Sequence, residues 1–173
     1  MNHTIRIIIH QNPNLQQSQI VKLYKRLMSS NWTVESRHEE GKICYSESSD
    51  SEYTKLDFKT GLDKFEGILQ NAESHKKWIG FLMSNEELNR STRLSHQADQ
   101  YVFELEINKE DDPYEWLRKF HRTIAPSVKK DFSFHKIEWK DERKNKISRV
   151  ETALYHEGVL ILASSNQLKE YFS

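Results

Sequence analysis

The hydrophobic positions of this chain recur at two spacings, and the switches between them divide it into elements. Thr4–His10 is a run rich in β-branched residues, which predicts a strand ending at the turn-forming Gln11-Asn12-Pro13-Asn14. Leu15, Ile20, Leu23, Tyr24, Leu27 and Met28 follow at helical spacing, and Asn14 with Gln17 matches a capping box, so a helix is expected from Leu15 to Ser29. Trp32–Arg37 and Lys42–Glu47 read as two strands of a hairpin closed by Glu39-Glu40-Gly41, with Gly41 able to take a positive φ. Ser46–Ser51 is a polar tip, and Tyr53–Phe58 predicts a third strand.

A second helix is expected to start near Leu62, where Leu62, Phe65, Ile68 and Leu69 share one side. Gly67 weakens that helix by roughly 1 kcal/mol of propensity. Lys77–Ser84 is almost continuously apolar and reads as a strand buried on both faces, and Arg90–Ser95 as a weaker one. Tyr101–Ile107 is the clearest alternation in the chain. Tyr101, Phe103, Leu105 and Ile107 point one way, and Val102, Glu104 and Glu106 the other. Asp112-Pro113-Tyr114-Glu115 then combines a capping residue, a proline suited to the first helical position and a glutamate that completes the box. The stripe Trp116, Leu117, Phe120 and Ile124 continues this helix, which Pro126 is expected to end. Phe132–Lys140, Ile147–His156 and Val159–Ala163 predict an antiparallel meander with turns at Asp141–Lys146 and Glu157-Gly158, and Gln167–Phe172 a terminal helical turn.

Three helices, each followed by up to three strands, make a coarse repeat of about 50 residues, although no matching residues recur at corresponding positions. No Pro/Gly/Ser-rich linker breaks the chain. The expectation is one α+β domain over residues 1–173, with a largely antiparallel twisted sheet and about three helices packed mainly on one face.

Composition narrows the class. The 173 residues carry 26 Lys+Arg against 26 Asp+Glu, and 4 tryptophans, 7 tyrosines and 8 phenylalanines supply bulk to bury. That combination predicts a folded globule and argues against general affinity for nucleic acid or membrane surfaces. The single Cys44 excludes a disulfide framework and a cysteine-rich zinc site. Ile5 to Ile9 is interrupted by Arg6 and is too short for a signal-peptide core, and no window approaches a membrane span, so the expected location is the cytoplasm.

Catalytic patterns are sparse. The five glycines stand at 41, 61, 67, 80 and 158, too scattered for a phosphate-cradling loop. Serines sit in no Gly-x-Ser-x-Gly elbow. No two of His3, His10, His38, His75, His96, His121, His135 and His156 have the spacing of a ligand pair on a helix or strand. Glu138-Trp139-Lys140, with Asp131 upstream, has the carboxylate-x-lysine form of metal-dependent nucleases, as do Asp57-Phe58-Lys59 and Glu142-Arg143-Lys144. Such triplets arise by chance in a chain that is 30% charged. No cofactor, metal or catalytic residue is assigned.

Charge is more informative when followed along the chain. Asp99–Glu115 holds seven acids against Lys109, a balance of −6, whereas Lys129–Arg149 holds eight bases against four acids, a balance of +4. The overall neutrality is a sum of opposed segments. Size, composition and expected compartment resemble those of small bacterial accessory proteins such as an immunity protein that neutralises a toxin domain in the producing cell. The resemblance implies a stoichiometric protein-binding protein rather than an enzyme. Its partner would be a basic toxin domain met through Glu104, Glu106, Glu110, Asp111, Asp112 and Glu115. Two other readings compete with it. One is a metal-dependent hydrolase or nuclease using Glu138 and Lys140 or a histidine cluster. The other is a small RNA-binding regulatory module using the basic segment 129–149.

Overall fold

A computed structural model describes residues 3–10, 18–48, 52–108, 110–128, 133–141, 146–156 and 159–163. In chain order the elements are β1 (His3–His10), α1 (Gln19–Met28), β2 (Lys42–Ser46), β3 (Thr54–Asp57), α2 (Phe58–Ser74), β4 (Ile79–Asn85), β5 (Arg90–Gln97), β6 (Gln100–Ile107), α3 (Pro113–Val128), β7 (Ser133–Asp141), β8 (Lys146–His156) and β9 (Val159–Ala163). The strands form one open sheet in the order β3-β2-β4-β5-β6-β1-β7-β8-β9, and every pairing is antiparallel. The α+β class and the antiparallel sheet thus match expectation, and β7–β9 form the expected meander.

The alternation of β6 explains where the helices sit. Tyr101, Phe103, Leu105 and Ile107 are buried in the common core together with Ile5, Ile7 and Ile9 of the neighbouring β1. Onto that face pack Leu23 and Leu27 of α1, Phe65 and Leu69 of α2, and Leu117, Phe120 and Ile124 of α3. Aromatic rings lock the layers at specific angles, Phe65 edge-on to Phe81 at 5.1 Å and Phe103 edge-on to Phe120 at 5.2 Å. α1 touches both flanking helices. Lys25 pairs with Glu66 of α2 at 3.0 Å, and Arg26 donates to the Thr123 carbonyl of α3 at 2.8 Å.

A buried polar group ties the helical layer to the sheet. The Tyr101 hydroxyl donates to Glu73 Oε2 at 2.7 Å, and the same oxygen accepts the Ile20 backbone N–H at 2.8 Å. Glu73 of α2 thereby satisfies a donor that the first turn of α1 leaves without an intrahelical partner, at the end where a negative charge is favoured. Burial, followed by the adjacent Glu73, holds the Tyr101 phenol far above its usual ionisation range. The His96 ring lies against Tyr101 at 5.1 Å, and its Nδ1 is 3.1 Å from the Lys77 carbonyl oxygen.

Several boundaries differ from those expected. α1 begins at Gln19, where the Ser18 hydroxyl accepts the Val21 N–H at 3.4 Å; the expected start at Leu15 and the Asn14/Gln17 pair lie outside the described residues. Trp32–Arg37 forms no strand of its own. It contributes isolated bridges at Thr33, to Ser84, and at Glu35, to Ile43, wedged where β2 and β4 diverge. Gly41 does turn with φ +77°, and its N–H is held by the Glu35 carboxylate at 2.8 Å. α2 starts at Phe58 because Asp57, the last residue of β3, caps it through the Thr60 N–H at 3.0 Å. α3 runs two residues beyond Pro126. The stripe ending at Ile124 already holds that helix on the sheet, so one missing N–H does not stop it. The turns expected at Asp141–Lys146 and Glu157-Gly158 fall largely outside the described residues, as does the Gln167–Phe172 turn.

The other face of the sheet carries charge across its centre. Arg93 of β5, Glu104 of β6, Arg6 of β1 and Glu138 of β7 are successive cross-strand partners, alternating in sign. Arg6 Nε lies 3.6 Å from Glu104, and its Nη1 donates to Glu138 at 3.1 Å. Glu138 is 5% exposed, so its charge depends on partners within the protein. Arg6→Met is expected to destabilise the protein by about 3 kcal/mol, because it removes the guanidinium that pairs with a buried carboxylate. The pairing of Arg6→Met with Glu138→Gln should recover more than about 1 kcal/mol of that loss. Urea unfolding of the two single variants and the double variant measures the coupling, and additive losses would show that the pair is not a unit.

His121 of α3 gives the stability a pH dependence. It is 2% exposed, and burial pushes its pKa down to about 4 from an ordinary value of 6.5. Below pH 6.5 the unfolded chain binds a proton that the folded one refuses, so this contribution to stability is complete above 6.5 and is lost as pH falls through 4. The expected loss is on the order of 3 kcal/mol across that window. Unfolding of the native protein and of His121→Gln at pH 7 and pH 4.5 checks it. The variant should lose markedly less stability on acidification, and parallel losses would remove His121 as the cause.

Candidate functional site

The six acids singled out in the sequence occupy two places. Glu104 and Glu106 lie on the face of β6 turned away from the helices, where Glu104 meets Arg6 and Glu106 is exposed. Glu110, Asp111, Asp112 and Glu115 lie at the corner between β6 and α3. The contiguous −6 segment is therefore not one surface.

The corner is built from its own backbone needs. Asp111 accepts the Asn108 N–H at 2.8 Å, closing the turn after β6, and its other oxygen pairs with Arg90 of β5. Asp112 accepts the Glu115 N–H at 3.3 Å and so caps α3. Glu115 lies 3.6 Å from Lys119 one turn along. The Arg90 guanidinium also stacks over the Trp116 indole, 5.8 Å from its centroid. Arg90 is thus clamped between a carboxylate and a ring, and it fixes the turn joining β4 to β5 against the start of α3.

That clamp brings together residues far apart in sequence. The β4–β5 turn contains Glu86, Glu87 and Leu88, all exposed, and Leu88 keeps 49% of its surface in solvent. A groove of about 220 Å³ opens between this turn and the N-terminus of α3, lined by Leu88, Arg90, Asp112, Glu115 and Trp116 among others. Six carboxylates belong to the two segments, Glu86, Glu87, Glu110, Asp111, Asp112 and Glu115. Among the described residues the bases that line the groove are Arg90 and Lys119, and Arg37 reaches the turn by donating to Asn89 at 2.8 Å. Sequence reasoning missed Glu86, Glu87 and Leu88 because a long-range ion pair, Arg90 with Asp111, ties their turn to the corner. A leucine set in a run of polar turn residues was the available signal.

The competing sites fare differently. Glu138 of the Glu138-Trp139-Lys140 triplet is buried and engaged by Arg6, so a cation there would have to displace a fixed guanidinium. Asp57 of the second triplet caps α2, and the Thr60 N–H and hydroxyl hold its carboxyl below the usual range. Asp131 and Glu142-Arg143-Lys144 lie outside the described residues. Among the described residues no three of His, Cys, Asp and Glu are placed to hold a metal ion. Of the basic segment 129–149, the structure assigns Lys136 and Lys140 to β7 and Lys146 and Arg149 to β8. Cys44 is a free, half-buried thiol on β2, opposite Lys55. No described helix is long and apolar enough to cross a membrane. No protein-family model, no curated protein and no solved structure matches this chain.

Proposed function

We propose that this is a stoichiometric protein-binding protein that covers a basic surface of its partner with the corner between β6 and α3. The reading extends to an immunity protein that neutralises a cognate toxin domain in the cytoplasm of a bacterial producer. The observation that carries it is the groove at this corner, where one exposed leucine sits among carboxylates. Stable interfaces place an apolar anchor at the centre and polar groups at the rim; here Leu88 shares the groove with Asp111, Asp112 and Glu115, and Glu86, Glu87 and Glu110 are exposed on the two segments that form it. The acidic rim would raise the rate of encounter with a basic partner and fix its orientation, while the leucine and the Trp116 ring would supply the contact that excludes water. Glu104 is left out of the contact set because Arg6 already engages it.

The partner to test is a basic C-terminal toxin module, sought in a large secreted protein encoded directly upstream. It should copurify with this chain at one-to-one stoichiometry. Glu87→Lys, Glu110→Lys and Asp112→Asn combined should slow association at low salt by about tenfold or more, and the difference should shrink as salt is raised. Asparagine at 112 retains the helix cap, so folding is preserved. Leu88→Asp should instead speed dissociation. Tight binding that ignores both variants would remove the corner as the site, and no binding at all would remove the function.

A further inference from the structure

We infer that the cavity between α2 and the rim of the sheet is a binding site for a small monocarboxylate with an apolar body. The cavity has a volume of about 460 Å³ and lies between one side of α2 and the residues where β2 ends and β4 begins. That volume is in the range of small-molecule sites. Its aliphatic lining is the half-buried Ile68 of α2 together with Ile79 of β4, which belongs to the core. Lys64 of α2 and Lys77 before β4 line it from the two sides, with Glu47 on a third. Two cations against one anion leave a single positive charge, which suits one carboxylate better than a dianion.

Gly67 is the second observation. Among the described glycines, Gly41 takes a positive φ, and Gly61 and Gly80 have packing reasons. A Cβ at Gly80 would lie 2.6 Å from the Trp78 ring, and one at Gly61 would lie 3.2 Å from Leu56. At Gly67 a Cβ would meet nothing within 4 Å, and the residue is exposed in the middle of α2. Glycine there weakens the helix relative to any ordinary residue, and no neighbour among the described residues requires it. What it provides is bare backbone on the wall of the cavity, where any side chain would project into the space a ligand would fill.

The site is independent of the acidic corner and stands or falls alone. Titration of the full chain with sodium octanoate, followed by amide NMR, should shift Gly67, Ile68, Asn71 and Ile79 and saturate with a dissociation constant of about 1 mM, the affinity expected of a ligand of roughly ten heavy atoms. Octanamide should bind at least about tenfold more weakly, and octyl phosphate less tightly than octanoate. Gly67→Leu should raise the Tm of the free protein and abolish the octanoate shifts, which separates loss of binding from loss of folding. Lys64→Glu with Lys77→Glu should weaken binding by about tenfold or more. Shifts that do not saturate, equal binding of octanamide, or octanoate binding retained in Gly67→Leu would overturn the site. Tighter binding of octyl phosphate would overturn the choice of a monoanion.

Discussion

The ion pairs of Arg6 reinforce the strand that the two parts of the sheet share. β1 is hydrogen-bonded to β6 on one side and β7 on the other, and among the described residues it alone joins β3-β2-β4-β5-β6 to the meander of β7–β9. Arg6 stands near the middle of that strand and reaches across both neighbours, to Glu104 and to the buried Glu138. Because side chains alternate along a strand, the residues on either side of it, Ile5 and Ile7, face the opposite way and form part of the core under the helices. One segment of eight residues therefore serves both layers, through apolar contacts on one face and charge on the other. A slip of one residue in its register would put an arginine in the core and isoleucines on the outer face, so the charge ladder also specifies the pairing.

The polar group at Tyr101, Glu73 and Ile20 does similar work at right angles to the sheet. It joins β6, α2 and α1 through one carboxylate oxygen. An apolar contact in this position would tolerate sliding, whereas a hydrogen bond from a phenol and a helix N-terminus to the same atom does not. The helical layer is thereby indexed to the strand whose alternation defines the core.

Much of this was legible in the sequence where a single segment carried its own signal. Tyr101–Ile107 alternated clearly enough to assign both faces, and Asp112 with Pro113 marked the start of α3 to the residue. The signals that misled were local ones overruled by partners elsewhere. Leu62 looked like the start of α2, but Asp57 at the end of β3 caps the helix four residues earlier, leaving no loop between strand and helix. Trp32–Arg37 had the residues of a strand, yet the divergence of β2 and β4 leaves room for only two bridges. The charge segments misled in a different way. Glu104 and Glu106 are contiguous with Glu110 and Asp111 in the chain, but the end of β6 separates a sheet face from a corner. Glu86, Glu87 and Leu88 joined that corner through Arg90, a contact of 21 residues' separation that no periodicity announces.

The central position of β1 has a kinetic consequence. Ile7 pairs with Phe103 on one side and Ile137 on the other, so β1, which precedes every other described strand in the chain, is among the last to have both edges satisfied. Until Gln100–Ile107 has been made, a strand with the sequence Ile-Arg-Ile-Ile-Ile lacks both of the strands it pairs with in the described fold. Pairings this distant in sequence are slow to form, because loop closure precedes the contacts that reward it. An unpaired β-branched strand is at the same time a template for association with other chains. Arg6 interrupts that apolar run, and in the nascent chain the same side chain that later joins Glu104 and Glu138 acts as a charged gatekeeper against aggregation.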